Sequence, residues 1–276
     1  MKHIITPFYH RFFKRGFAGW TSSSRVLPNF IIIGTVRSGT TSLYYNICEH
    51  PSVLPAAYDE IGFFDSNYHL GIQWYRSMFP KKLDMNKIKA KTKYSITGED
   101  TPFYIWNVLS AERILKILPN IKIIVQLRNP VNRAYSNYHI SKKYGDEKLT
   151  FEKAIEKELE ILEKKSFNME IEDYTNPRSY IAKGLYYKQL VKWFKLFPSE
   201  NILAVSTENM ILNPESHMNE ILNFLKIPQY TIKNPQQRKL EKYPEIENNM
   251  KLKLTEFFEP HNKELYQLIG KKFNWK

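Results

Sequence analysis

Cysteine is almost absent. The 276 residues contain one, Cys48, which excludes an intramolecular disulfide and a cysteine-based zinc cage and fits a reducing compartment. Cys48 falls in an apolar helical pattern, where a lone thiol acts as a small hydrophobe. Missing too is any run of about 18 apolar residues, so no segment reads as a membrane-spanning helix. Residues 1–20 lack the continuous apolar stretch and small-residue cleavage site of a signal peptide. They mix Lys2, Arg11, Lys14 and Arg15 with Phe8, Phe12, Phe13, Phe17 and Trp20. Such a basic amphipathic segment, taken to extend over residues 1–25, either rests on a membrane or partner surface or packs back on its own domain. The expectation is a soluble, cytoplasmic protein, with peripheral membrane contact left open. Acidic residues are the scarcer charge: 28 Asp plus Glu stand against 41 Lys plus Arg, a net charge of +13. That excess implies an anionic partner or surface, and charge alone does not rank nucleic acid, anionic lipid, acidic polysaccharide and phosphorylated nucleotide.

What is present suffices for one large domain over residues 26–276, since 42% of the chain is hydrophobic and 14% aromatic. Apolar, β-branched runs predict buried parallel strands at residues 29–34 (NFIIIG), 94–99, 121–127 (IKIIVQL) and 201–206 (NILAVS). Helical patterns follow each, at residues 39–50, 101–118 with Pro102 in the first turn, 130–143, 151–164, 180–197, 214–225 and 250–269. Alternating strands and helices predict a P-loop-like three-layer α/β fold, with a central, mostly parallel sheet flanked by helices. Ligands of such sheets bind beyond the carboxyl ends of the strands. A Pro-punctuated basic stretch, residues 229–248, reads as a long functional loop.

The first strand runs into Gly34-Thr35-Val36-Arg37-Ser38-Gly39-Thr40-Thr41-Ser42, where a helix begins. A strand, a glycine-bounded loop and a helix N-terminus together make an anion site, with Arg37, Ser38, Gly39, Thr40, Thr41 and Ser42 as candidate contacts. The two glycines keep the spacing of a nucleoside-triphosphate loop, but Thr40 stands in place of its lysine. That argues against a triphosphate hydrolase and for a nucleotide with a shorter, metal-free anionic tail; Arg37 can supply the cation. The third strand ends in Arg128-Asn129-Pro130, and Ser136 follows about two helical turns on, so Arg128 and Ser136 could grip a second phosphate. The blander alternatives for this stretch are a helix cap for Asn129 and Pro130 and a surface ion pair for Arg133. Glu60 precedes the aromatic pair Phe63-Phe64, where partial desolvation would raise its pKa and suit it to general-base work. His69 has no second ligand at metal spacing.

Over nearly its whole length the sequence resembles the sulfotransferases that use 3′-phosphoadenosine 5′-phosphosulfate (PAPS), most closely the heparan sulfate N-sulfotransferase and 3-O-sulfotransferase domains. The likeness runs from FIIIGTVRSGTTSLYYNICEHP through EIGFFDSNYHLGIQWYRSMFP, GEDTPFY and IIVQLRNPVNRAYSNY to the C-terminal EKYPEIENNMKLKLTEFFEPHNKELYQLIGKKFNW. It implies that Arg37, Ser38, Gly39, Thr40 and Thr41 hold the 5′-phosphosulfate, that Arg128 and Ser136 hold the 3′-phosphate, and that Glu60 is the base. It also implies that residues 239–243 (KLEKY), with Lys239, Lys242 and Tyr243, close over the nucleotide. The reaction implied is sulfuryl transfer from PAPS to a hydroxyl or amine of a carbohydrate or small-molecule acceptor, with 3′,5′-ADP leaving and no metal. Departures from the pattern are Arg37 for a loop lysine, Asp100 for a lysine before Thr101, Gly62 for a histidine, and a shortened C-terminal loop. A kinase-like phosphoryl transferase is the first rival, weakened by Thr40. A non-catalytic module for anionic glycan or nucleic acid is the second, and aromatics spread through helices speak against nucleic acid.

Overall fold

Four parallel strands form the centre of the molecule: β1 (Phe30–Gly34), β2 (Gly98–Asp100), β3 (Lys122–Leu127) and β4 (Ile202–Ser206), in the order β2-β1-β3-β4. The computed structural model describes residues 21–168, 171–233 and 243–275. Every residue of β1 is buried, which is why its sequence is a continuous apolar run rather than an alternation. Successive side chains enter two different cores: Ile31, Ile33, Ile123 and Val125 on one face, Phe30, Ile32, Ile124 and Val205 on the other. Phe30 pairs with Gly98, and a Cβ on Gly98 would lie 2.5 Å from the Phe30 ring, so the edge strand must carry glycine there.

Helices cover both faces. Among the described residues they are, in chain order, α1 (Thr40–Cys48), α2 (Gly71–Arg76), α3 (Lys82–Thr92), α4 (Val108–Ile117), α5 (Pro130–Tyr144), α6 (Phe151–Lys164), α7 (Ile171–Thr175), α8 (Tyr186–Leu196), α9 (Thr207–Leu212), α10 (Pro214–Phe224) and α11 (Asn248–Ile269). The three-layer parallel architecture expected from the sequence is the one observed. Among the described residues no helix is long and apolar enough to cross a membrane.

Four local expectations need correction. The second strand is only residues 98–100, and the preceding segment contributes a single bridge between Val53 and Ile96. The helix expected from residue 101 begins at Val108. Before it, the Thr101 and Ile105 N–H groups donate to the Ile32 and Ile33 carbonyls (3.0 and 2.9 Å), so tertiary bonds to β1 hold residues 101–106 in turns. Asn107 then starts the helix, its side chain accepting from Leu109 and Ser110 (3.0 and 3.2 Å). Likewise α8 starts at Tyr186 rather than residue 180, because residues 182–184 form a separate 3-10 turn and Leu185, with ψ 65°, leaves helical geometry; ahead of the break the buried Glu158 carboxylate accepts from the N–H groups of Tyr180, Ile181 and Ala182 (2.6, 2.8 and 3.0 Å). Arg133 is no surface ion pair: it is fully buried and donates to the Tyr180 carbonyl.

Candidate active site

The loop after β1 is held from below by the ends of the neighbouring strands. Thr35 N–H donates to Gln126 O (2.8 Å), while the Gln126 amide and the Thr207 hydroxyl both donate to Ser38 O (2.6 and 2.7 Å). Gly39 has φ +79°, and an added Cβ would press on Met210 and Gln126 at 3.3 and 3.4 Å, so strain and space both call for glycine. With glycine as N-cap, α1 has no side-chain cap, and the positive end of the helix dipole faces the loop, where an anion is favoured. The Ser38 hydroxyl is buried without a hydrogen-bond partner, an orphaned group in the same cradle.

A cavity of about 500 Å³ opens above this loop, lined by residues 36–42, Glu60, Pro102, Phe103, Arg128, Ser136, Thr207, Met210, Ile211 and Tyr243. Of the residues expected from the sequence, Arg37, Ser38, Gly39, Thr40, Thr41, Ser42, Glu60, Arg128, Ser136 and Tyr243 are thus brought to one site. Lys239 and Lys242 lie outside the described residues, as does the basic segment 1–20. Arg37 links three elements: its Nε donates to Ser136 Oγ of α5 (3.1 Å), its Nη2 to the Tyr243 hydroxyl (3.4 Å), and its carbonyl accepts from Arg128 Nη1 (3.1 Å). The Tyr243 ring stacks flat on His139 of α5, with centroids 4.1 Å apart. Burial lowers the Arg128 pKa from its ordinary value, as expected of a cation kept partly from water. Thr207, Met210 and Ile211, missed in the sequence reading, follow directly on β4; the rule that ligands sit beyond strand ends was their signal.

The Glu60 segment is fixed to the end of β2. Its N–H donates to Asp100 O (2.8 Å), and Gly62 N–H donates to Thr101 Oγ1 (3.2 Å), which in turn donates to the buried Glu99 carboxylate (2.9 Å). The desolvated position expected for Glu60 is not what the structure shows, for Glu60 is exposed on the cavity wall. Phe63 and Phe64 instead point into the core, with the Phe63 ring stacked on Tyr75 at 4.5 Å, and serve to anchor the loop. The desolvated carboxyls are its neighbours: burial pushes Glu99 up to about 7 and Asp100 up to about 8, with Asp59, Glu60 and Glu99 adding to the shift at Asp100. Among the described residues no group of three His, Cys, Asp or Glu side chains could hold a metal ion, and His69 stands in a short turn of 3-10 helix.

Asp100 yields a stability prediction. A carboxyl whose folded-state pKa is raised contributes fully below its ordinary value of 3.8 and loses that contribution as pH rises through about 8. Asp100→Asn is therefore expected to stabilise the protein at pH 8 by about 5 kcal/mol relative to its effect at pH 4. Urea denaturation of both proteins at the two pH values checks this; an effect independent of pH would contradict it.

Parallel sheet, lysine-free glycine loop and two arginines on one cavity define a class: an α/β protein with a glycine loop and two cations gathered at the carboxyl ends of its strands. The sulfotransferase domain family model matches residues 27–269, and the chain belongs to that family. It is 29% identical to the membrane-associated sulfotransferase kil1 of Dictyostelium discoideum, over 90% of this chain and 66% of that protein. Human heparan sulfate glucosamine 3-O-sulfotransferase 3B1 is 31% identical, over 92% of this chain and 66% of its own length. Human bifunctional heparan sulfate N-deacetylase/N-sulfotransferase 2 is 28% identical, over 89% of this chain and 30% of its own length. The chain thus spans only part of each relative. A solved sulfotransferase structure from Alicyclobacillus acidocaldarius shares the fold, with a TM-score of 0.67 over 90% of this chain and 98% of that one at 23% identity. Sulfotransferases of this family take the sulfuryl group from PAPS.

Proposed function

We propose that the protein transfers a sulfuryl group from PAPS to a hydroxyl or amine of a carbohydrate or small-molecule acceptor and releases 3′,5′-ADP. The observation that carries this reading is the convergence of the glycine loop, Arg37, Arg128, Ser136 and Glu60 on one cavity. The residues present fit a bisphosphate nucleotide: the uncapped N-terminus of α1, the unpartnered Ser38 hydroxyl and Arg37 would hold the 5′ end, and Arg128 with Ser136 the 3′-phosphate. Lys239, Lys242 and Tyr243 would close over it.

In this reading Glu60, on the open wall, takes the proton from the acceptor as the acceptor oxygen or nitrogen bonds to sulfur. The bond between sulfur and the bridging oxygen breaks with its electron pair on the 5′-phosphate of the leaving 3′,5′-ADP. Arg37 and the α1 N-terminus face the charge that collects there, where fixed donors need no reorganisation. A carbohydrate acceptor is favoured by the names of the heparan sulfate relatives. The name of the Dictyostelium relative supports a membrane contact for the basic aromatic residues 1–20 of a cytoplasmic protein.

Calorimetric titration with 3′,5′-ADP and with ATP, each with and without Mg²⁺, tests the proposal. Metal-independent binding of 3′,5′-ADP, tighter than that of ATP, is expected. No binding, or Mg²⁺-dependent preference for ATP, would overturn the reading in favour of a phosphoryl transferase or a binding module.

A further inference from the structure

Glu60 has a positive φ of 52°, and Gly62, two residues on, has one of 62°. A glutamate keeps that left-handed conformation only where its surroundings over-determine it. Here they do so from two sides. On the carbonyl side Asn67 donates its side-chain Nδ2 to Ile61 O (3.0 Å) and its main-chain N–H to Gly62 O (2.9 Å), while Arg113 Nη1 donates to Phe64 O and Asp65 O (2.8 and 3.1 Å). On the N–H side, beyond the bond from Glu60 to Asp100 O, three consecutive groups go to two side-chain hydroxyls. Gly62 N–H donates to Thr101 Oγ1 (3.2 Å), and the Phe63 and Phe64 N–H groups donate to the Tyr104 hydroxyl (2.8 and 3.3 Å).

Both hydroxyls send their protons to one carboxylate. Thr101 donates to Glu99 Oε2 (2.9 Å), and Tyr104 donates at 3.4 Å to either Glu99 oxygen. Tyr75, whose hydroxyl takes no N–H of the loop, donates to Oε1 (2.5 Å). Glu99, Thr101 and Tyr104 are buried, and none of them lines the cavity. An ionised carboxylate can only accept, so it turns each hydroxyl with its lone pairs toward the loop N–H groups. A buried carboxylate is costly to a fold, and this one spends its hydrogen bonds on the hydroxyls that hold the segment carrying Glu60.

We propose that Glu99, acting through the Thr101 and Tyr104 hydroxyls, is the positioning residue for Glu60: it locks the three N–H groups that follow Glu60 and so aims the Glu60 carboxylate at the acceptor. The inference rests on the reading of Glu60 as the base and adds to it three side chains that act from behind the cavity wall.

The test measures release of 3′,5′-ADP from PAPS with water and with N-desulfated heparan sulfate as acceptors, at pH 8, above the value of about 7 to which burial raises Glu99. Thr101→Val removes one hydroxyl and keeps the shape; Tyr104→Phe does the same at the other. Each should lower kcat at least about tenfold, part of what a general base supplies, with the 3′,5′-ADP dissociation constant within about twofold. Thr101→Ser, which keeps the hydroxyl, should hold kcat to within about threefold of the unsubstituted protein. Tyr75→Phe takes a partner from the same carboxylate without touching the loop N–H groups, so it should lower the melting temperature and leave kcat within about threefold. Combined with Glu60→Gln, neither Thr101→Val nor Tyr104→Phe should slow the protein further, because the group they position is already gone. Hydrogen exchange of the amides at residues 62–64 should be faster in both variants, whatever the acceptor. Unchanged kcat or unchanged exchange in Thr101→Val and Tyr104→Phe, a Tyr75→Phe protein as slow as they are, or full additivity with Glu60→Gln would overturn the inference. Normal turnover by Glu60→Gln alone would instead strike the base assignment on which the inference stands.

Discussion

Glu60→Gln is expected to lower the turnover number about 10³-fold, within the range for removal of a general base, while the 3′,5′-ADP dissociation constant stays within about twofold. The separation follows from the geometry. Glutamine matches glutamate in size but cannot take a proton at this pH. The backbone of residue 60 is held by its N–H bond to Asp100 O, which the substitution leaves intact. The side chain is exposed on the cavity wall, so the substitution opens no cavity in the core. Single-turnover transfer from radiolabelled PAPS, alongside calorimetry with 3′,5′-ADP, separates the two quantities. Comparable turnover by the variant would remove Glu60 from the role and direct attention to another acceptor-side group.

Arg37→Ala should have an effect of similar size by a different route, reducing kcat/KM about 10³-fold, as loss of a donor aimed at developing charge does. Two losses combine here. The cation that the proposed reaction sets against the leaving phosphate disappears, and so does the side chain that joins the glycine loop to Ser136 and Tyr243. Arg37→Lys separates them, because lysine keeps the charge but cannot reproduce the guanidinium fork. Recovery of kcat to within about tenfold of the unsubstituted protein by the lysine variant would assign the effect to charge. A lysine variant as slow as the alanine one would show that Arg37 acts by organising the loop, and steady-state kinetics of the three proteins distinguishes these outcomes.

The readable parts of this fold are those whose cause lies within a few residues. β1 and β3 are long apolar runs buried on both faces, and α5 and α6 carry their caps, Asn129 with Pro130 and Thr150, in the sequence itself. The errors fall where distant groups outbid local preference. Residues 101–106 have helical composition, but the carbonyls at the end of β1 take their N–H groups. Residues 180–185 are cut off from α8 by the non-helical Leu185, and the N–H groups of residues 180–182 go to a carboxylate some twenty positions earlier, with Tyr180 and Glu158 separated by 22. The aromatic pair after Glu60 was legible as a feature, but which way its rings point was not.

The sequence by itself determined the anion loop, because a glycine-bounded turn between a buried strand and a helix start has few conformations and Gly39 needs positive φ. It also determined the layered parallel sheet, through strand and helix periods that allow little else. Tertiary structure alone decided that Arg37 meets Ser136 and Tyr243, residues 99 and 206 positions away. It alone decided, too, that Glu60 stands exposed while burial raises the carboxyl pKa of Asp100 and Glu99. The physical reason is the same in each case: backbone conformation answers to neighbouring residues, whereas burial, charge and the meeting of side chains answer to whatever the whole chain packs against them.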